Sequence, residues 1–419
     1  MQFVRARRRL CQILTVVVAA CGVASAPAAH AGEGYFTSAD LTLAAGAPPM
    51  PDGPTGILGW ATPWDNGRHV AYASACVKSD PSSCGETGIV VASSYGSKRD
   101  WTWVSASAQA GPGPKYGFVL ADSVAYPYDP PGLEWARGSV MIIKGDDFHI
   151  WQMWTSATEP AWHLTDLTAL TGSPRGSGIT AYVQGNAQHV VFRSEEDGAL
   201  WELIYTPWTG WKARNLSVLT GTTNTWMRPA ATILGDRQMI AYENRADNRV
   251  HLLVNSGFGW SDQPISANTA AQDPFGRRLL GILAAPWSGR VAVTYCDEKY
   301  RTHELSSSDG TSWKDLDLSQ ELDFSWQPCP IPRRSSVALE ADGSERLFIG
   351  HDDPYWTPPG DLNELVRDRY GTRYRWVDRY DIRYLCAFSS QEGSKVDTVW
   401  IAYRLNDHVI VEDMTVKYT

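Results

Sequence analysis

The chain has 419 residues, of which 43% are hydrophobic and 20% charged, with 46 acidic against 37 basic side chains. A net charge of −9 opposes partnership with nucleic acid or an anionic membrane surface, both of which select basic patches. No internal stretch reaches the roughly 18 apolar residues of a membrane-crossing helix, so no membrane span is expected.

The N-terminus reads as a targeting segment. Arg5, Arg7, Arg8 and Arg9 precede the apolar run LCQILTVVVAACGVA, and small residues then lead to AHAGE, an Ala-x-Ala site that cuts after Ala31. Residues 1–31 are therefore expected to be a signal peptide and the protein to be secreted. Their removal leaves a charge of −13, which suits neutral or cationic ligands. VAAC offers a second reading, a lipoprotein box with Cys21 as the lipidated residue and residues 22–34 as a tether.

Of the seven cysteines, five lie beyond Cys11 and Cys21. Export permits disulfides. Cys76 and Cys84 flank VKSDPSS and form the first candidate pair, while Cys329 and Cys386 open successive units at similar places and form the second. Cys296 is then left over. No Cys-x-x-C or Cys/His spacing is present, so neither a metal nor another cofactor is expected.

Beyond residue 34 the chain is one repeated unit. Short apolar runs end at Tyr72, Ile143, Phe192, Tyr242, Tyr295, Ile349 and Tyr403, in steps of 71, 49, 50, 53, 54 and 54. After each run and a turn comes a second strand, such as FHIWQMW, ALWELIY, RVHLLV or THELSS. A third element opens on an aromatic residue, as in WHLTDLTALTG from Trp162, WKARNLSVLTG from Trp211, WSDQPIS from Trp260 and WKDLDLS from Trp313. A further apolar stretch precedes each run, so the unit is four short strands. A Trp once per repeat at a strand start is expected to pack between repeats.

The termini fix the topology. The seventh unit stops after VIVEDMTVKY without a closing strand, and YFTSADLTLAAG, residues 35–46, supplies one that matches WHLTDLTALTG. Pairing the two ends closes a ring and removes its open edges. The sequence thus predicts an all-β fold, a seven-bladed β-propeller over residues 35–419, closed by the N-terminal strand on the C-terminal blade.

HVVFRSEEDGALWELIYTPWTGWKARNLSVLTG, residues 189–221, resembles the repeats of bacterial and fungal propeller lectins. These include the fucose-specific lectins and the insect-pathogen propeller lectins that bind fucosylated or O-methylated glycans. The resemblance implies a sugar pocket between blades, with an Arg near the start of the second strand, a Glu from an x-Glu-Leu strand and a nearby Trp. Ionised groups bond strongly to vicinal hydroxyls, and the Trp face packs on C–H bonds.

The Glu falls at Glu202, Glu304 and Glu364, whereas the Arg position reads His69, Val140, His189, Met239, Ala292, Arg346 and Trp400. The sixth unit keeps all three types as Arg346, Glu364 and Trp376. The third offers His189, Glu202 and Trp211, and the fifth Glu304 and Trp313. Each has a plainer reading: Glu202 and Glu304 as exposed strand charges, Arg346 with Glu364 as a surface pair, His189 as a satisfied half-buried histidine.

Two sequence features bear on an enzyme reading. SSSDGTSW, residues 306–313, is one residue short of the sialidase Asp-box, itself a structural turn. A propeller glycosidase needs carboxylates converging at the central mouth; DEKY, HDDPYW and RSEED carry acids in comparable turns. The leading expectation is a secreted, non-catalytic, carbohydrate-binding propeller with shallow inter-blade sites. The alternatives are a propeller glycoside hydrolase or lyase, and a protein-binding propeller at the cell envelope. For the last, the long Arg- and Tyr-rich sixth unit, residues 351–384, is the candidate face.

Overall fold

The structure, a computed structural model, describes residues 36–50, 56–74, 88–95, 100–111, 113, 118–225, 227–266, 278–285, 290–297 and 301–321. It also describes the strands of 335–339, 345–350, 362–368, 371–377, 382–392, 396–405 and 408–414. Beyond residue 321, burial is described at 402 and 409–411 alone.

The described residues form seven four-stranded antiparallel sheets. The first holds β2 (Ile57–Thr62), β3 (Gly67–Ser74), β4 (Gly88–Tyr95) and β5 (Thr102–Ser105). The second holds β6 (Phe118–Tyr128), β7 (Gly138–Gly145), β8 (Ile150–Trp154) and β9 (His163–Asp166). In the third are β10 (Gly176–Gln184), β11 (Ala187–Ser194), β12 (Leu200–Thr206) and β13 (Gly210–Asn215). The fourth has β14 (Ala230–Leu234), β15 (Arg237–Asn244), β16 (Arg249–Asn255) and β17 (Trp260–Pro264). The fifth has β18 (Arg278–Ala285), β19 (Arg290–Cys296), β20 (Thr302–Ser307) and β21 (Lys314–Asp317). The sixth comprises β22 (Ser335–Leu339), β23 (Glu345–Gly350), β24 (Leu362–Asp368) and β25 (Gly371–Val377). In the last, β26 (Ile382–Glu392), β27 (Val396–Leu405) and β28 (His408–Met414) are joined by β1 (Phe36–Asp40).

Each sheet is an up-and-down meander, and its first strand contacts the first strand of the next. The contacts run β2 to β6, β10, β14, β18, β22 and β26, and β26 contacts β2. This is β-propeller architecture. β1 lies on the outer edge of the last sheet, pairing Phe36 with Met414 through Asp40 with Ile410. The two ends of the chain therefore share one sheet.

The strands carry a two-residue alternation, and both faces of the middle strands are buried, which is why β3 and β7 are buried at every position. Val70, Tyr72 and Val90 pack toward the last sheet's Ala402, Val409 and Val411. Ala71, Ile89 and Val91 pack toward Met141, Ile143 and Met153 of the second sheet. Burying such a side chain contributes about 1.5–3 kcal/mol, so the gaps between sheets hold most of the core.

One detail differs from the sequence reading. The closing segments LTALTG and LSVLTG are single helical turns, Leu167–Thr171 and Leu216–Thr220, not strand. The residue ending each fourth strand caps them. Asp166 accepts from the Ala169 amide at 2.9 Å, and Asn215 from Val218 at 2.9 Å. Gly172 and Gly221 end them in the left-handed region, at φ 66° and 68°, where a side chain would be strained. Asp40 repeats the device, accepting from Thr42 at 3.0 Å, in the N-terminal segment that matches these repeats.

Candidate functional site

In four described interfaces a Trp at the start of one sheet's fourth strand meets the preceding sheet. Trp162 joins the core between the first two sheets, Trp211 that between the second and third, Trp260 that between the third and fourth, and Trp313 that between the fourth and fifth. Among the described residues, the positions that the sequence marked for ligand contact, His189, Glu202, Trp211, Glu304 and Trp313, lie on or just before strands that border such gaps.

The third sheet shows what those positions do. Glu202 is 0% exposed, which corrects the reading of it as a solvent-facing charge. Its Oε1 accepts from His189 Nδ1 at 2.7 Å and from the Tyr182 hydroxyl at 3.2 Å. Its Oε2 accepts from Arg214 Nε at 2.5 Å. The Tyr182 and His189 rings stack at 4.6 Å and 3°. Burial and the Glu202 charge together push the Tyr182 phenol far above its ordinary value. A carboxylate with donors on both oxygens and no exposed surface has nothing to offer a ligand.

Trp211 does not belong to that set. Glu202 pairs with Arg214 and Trp211 with Tyr205, so the two-residue alternation sends Trp211 to the opposite face. There it donates its indole N–H to Gln152 of the second sheet at 3.1 Å. The aromatic partner of the Glu202 cluster is Trp260 of the fourth sheet, with the Arg214 guanidinium 5.8 Å from its ring centroid. The fifth sheet repeats the separation. Glu304 is 5% exposed and bound by Arg290, while Trp313 packs toward the fourth sheet. In the sixth sheet the backbone register sets Arg346 opposite Val366, Glu364 opposite Phe348 and Arg375, and Trp376 opposite Asn363. The side chains of Arg346, Glu364 and Trp376 lie outside the described residues.

The corresponding positions in the remaining gaps differ in kind. Between the second and third sheets Gln152 is occupied by Trp211. Between the fourth and fifth, Met239 and Leu252 are both fully buried and apolar.

Between the first and second sheets the gap holds an open cavity of about 550 Å³. His69, at the Arg position, and Val91, at the Glu position, are in its wall, with Trp162 from the second sheet. Trp64, Asp65, Ser93, Tyr95, Glu134 and Arg137 complete its polar and aromatic lining. His69 lies flat on Trp60, ring centroids 5.1 Å apart at 19°, and meets Tyr95 edge-on at 5.7 Å. Trp60 in turn donates to Ser139 Oγ at 3.0 Å.

A directed chain of hydrogen bonds fixes His69. Thr62 Oγ1 donates to Asp65 Oδ1 at 2.5 Å and accepts from His69 Nε2 at 3.0 Å. His69 Nδ1 then accepts from Ser93 Oγ at 2.9 Å. Burial holds the imidazole down at about 4, against the opposing pull of Asp65, so it is neutral at physiological pH. Arg137 donates to Asp129 at 2.8 Å and stands 5.6 Å over the Trp64 ring. The arrangement suits a polar ring compound: aromatic surface on the walls, hydroxyls and carboxylates at the edges. Of these residues the repeat pattern marked His69 and Trp162. Trp64, Tyr95, Glu134 and Arg137 sit at strand ends and connections, where no periodicity reports position.

Two further clusters recur. In the fourth sheet His251 bonds Asp262 through Nδ1 and Asp247 through Nε2, each at 3.0 Å. In the fifth, His303 bonds Asp315 through Nδ1 at 3.0 Å and Asp297 through Nε2 at 3.3 Å. Tyr242 and Tyr295 donate to Asp262 and Asp315 at 3.0 and 2.9 Å. Burial lowers both imidazoles, and the flanking carboxylates outweigh it and raise them.

Asp297 also binds Arg301, at 2.6 Å, and Glu195 binds Arg193 and Ser177, so these two turn acids are internally paired. Glu298, Asp352 and Asp353 lie outside the described residues. In the Asp-box-like turn, Asp309 accepts from the Thr311 and Ser312 amides, both at 2.7 Å, which is a turn-holding role. Cys296 is buried and has a bonded partner, which corrects the expectation that it is left over. Cys76, Cys84 and Cys329 lie outside the described residues, and Cys386 enters them through the backbone of β26.

No family model and no curated protein matches the chain. Among solved structures it is similar to the BP39L lectin of Burkholderia pseudomallei, with a TM-score of 0.56 and 12% identity over 84% of this chain and 97% of that one. A mutant of AofleA from Arthrobotrys oligospora gives a TM-score of 0.49 at 13% identity, over 92% and 94% of the two chains. The six-bladed fungal lectin of Aleuria aurantia gives 0.48 at 14%, over 77% and 95%. The first establishes the fold at this identity; the other two carry no argument.

Proposed function

We propose that this chain is an exported, non-catalytic carbohydrate-binding protein, a seven-bladed propeller holding sugar in shallow sites between blades. The observation that carries the reading is the cleft between the first and second sheets, an inter-blade position of the kind the lectin resemblance implies, in a different unit from the third, fifth and sixth that keep its residue types. A pyranose has an apolar C–H face and a rim of hydroxyls; the half-exposed Tyr95 offers the first a surface, with the edge of Trp162 in the wall behind, and Ser93, Thr102 and Asp65 offer the second hydrogen bonds. BP39L, whose fold it resembles, is named a lectin. Seven blades and ring closure are supported by the chain of first-strand contacts from β2 round to β26 and by the β1–β28 register.

Export rests on the segment ending at Ala31, and disulfide bonding remains part of the proposal, the bond at Cys296 leaving room for at most one of Cys76–Cys84 and Cys329–Cys386. A glycan array including fucosylated and O-methylated sugars tests it. Binding that is lost in Tyr95→Ala and retained in Glu202→Gln supports the cleft; no glycan bound at millimolar levels would sink the reading. Arg346→Ala and Glu364→Gln probe a second site in the sixth sheet.

A further inference from the structure

We infer that the cleft between the first and second sheets selects a sugar carrying a free ammonium group, an amino sugar, over neutral and acidic ones. This rests on the carbohydrate-binding reading. Besides the Tyr95 phenol, four titratable side chains line the cleft: Asp65, His69, Glu134 and Arg137. The only fixed cation among them, Arg137, is committed to Asp129 and to the face of Trp64. The imidazole stays neutral, with both nitrogens bonded to Thr62 and Ser93. Two carboxylates are left.

They come from the two sides of the opening. Asp65 is exposed on the turn joining β2 to β3, and both of its bonds, from Thr62 and the Gly67 amide, fall on Oδ1. Oδ2 is left to accept from a ligand. Glu134 is exposed at the start of a 3-10 turn, Glu134–Ala136, in the connection from β6 to β7. An ammonium in the opening is attracted by both carboxylates and by the electron-rich face of the half-exposed Tyr95, whereas a uronate meets like charge. A lectin site that grips a neutral sugar through an arginine has the opposite sign.

Calorimetric titration of the full chain at about pH 6, where an amine is charged, separates the outcomes. The probes are a β-1,4-linked glucosamine tetramer, its N-acetylated counterpart, methyl α-L-fucoside and a galacturonate tetramer. The amine tetramer is expected to bind roughly ten-fold tighter than its acetylated form at low salt, with the preference shrinking as salt rises. The preference should vanish in Asp65→Asn/Glu134→Gln. Should Asp65→Asn unfold its turn, Glu134→Gln alone, at an exposed site, should still cut it about two- to three-fold.

Equal or tighter binding of the acetylated, fucosyl or acidic sugar overturns the inference and leaves the lectin reading standing. So does a preference that survives in Val104→Trp, which fills the cleft and would trace the effect to the chain's net charge. If no probe binds at millimolar levels, or every probe binds Val104→Trp unchanged, the reading itself falls.

Discussion

Trp211 donates its indole N–H to Gln152 across the gap between the second and third sheets, at 3.1 Å. The equivalent Trp162 finds Val91 where Gln152 would stand, its backbone N–H donates to Gln109 Oε1 at 3.3 Å, and that gap holds an open cavity. Trp211→Phe should keep an aromatic ring against the gap yet strand the Gln152 carbonyl, costing about 1–3 kcal/mol in urea unfolding. Trp211 is half-buried, so Trp211→Ala should cost less than the roughly 3–5 kcal/mol of a fully buried aromatic.

Glu202 is a structural centre. Removing one member of a buried ion pair leaves the others uncompensated, so Glu202→Ala should destabilise by about 3–5 kcal/mol. Its denaturation midpoint should fall while sugar affinity at the first gap stays unchanged. A variant of normal stability that loses binding would show that this gap, not the first, holds ligand.

Much of the fold was legible in the sequence because each sheet repeats one spacing, and the segment from Tyr35 to Gly46 copies a fourth strand with its Asp40 cap. The site was less so. His189 and Glu202 fall where the repeat pattern set them, but burial and three donors make them internal, and only three-dimensional neighbours reveal that. Trp211 was grouped with Glu202 because they are close along the chain; strand alternation sends it to the other face. Trp260, the true neighbour, comes from the next unit. Asp65 and Glu134 lie in connections that follow no period, and Tyr95 is the last residue of β4, on the face it shares with Val91 and Ser93.

The His251 and His303 clusters predict pH dependence. Each imidazole sits between two carboxylates and is raised above its unfolded value of 6.5. A base raised in the folded state stabilises fully below the unfolded value and loses that contribution as pH rises through the folded one. The melting temperature should therefore fall as pH climbs above about 6.5, and His251→Phe with His303→Phe should flatten that limb.

His69 works in the other direction. Its folded value of about 4 lies below the unfolded 6.5, so the unfolded chain binds the extra proton between them. Stability should drop as pH falls through this window, and His69→Gln should lessen the drop in thermal melts. An unchanged acid limb would mean that the imidazole is not buried neutral as described.

The most direct measurement is a crystal structure of the chain with a bound sugar. The account predicts a sugar ring in the cleft lined by His69, Tyr95 and Trp162, within hydrogen-bonding reach of Asp65 or Ser93. A sugar found in another gap with this cleft empty, or none at saturating concentration, would contradict it.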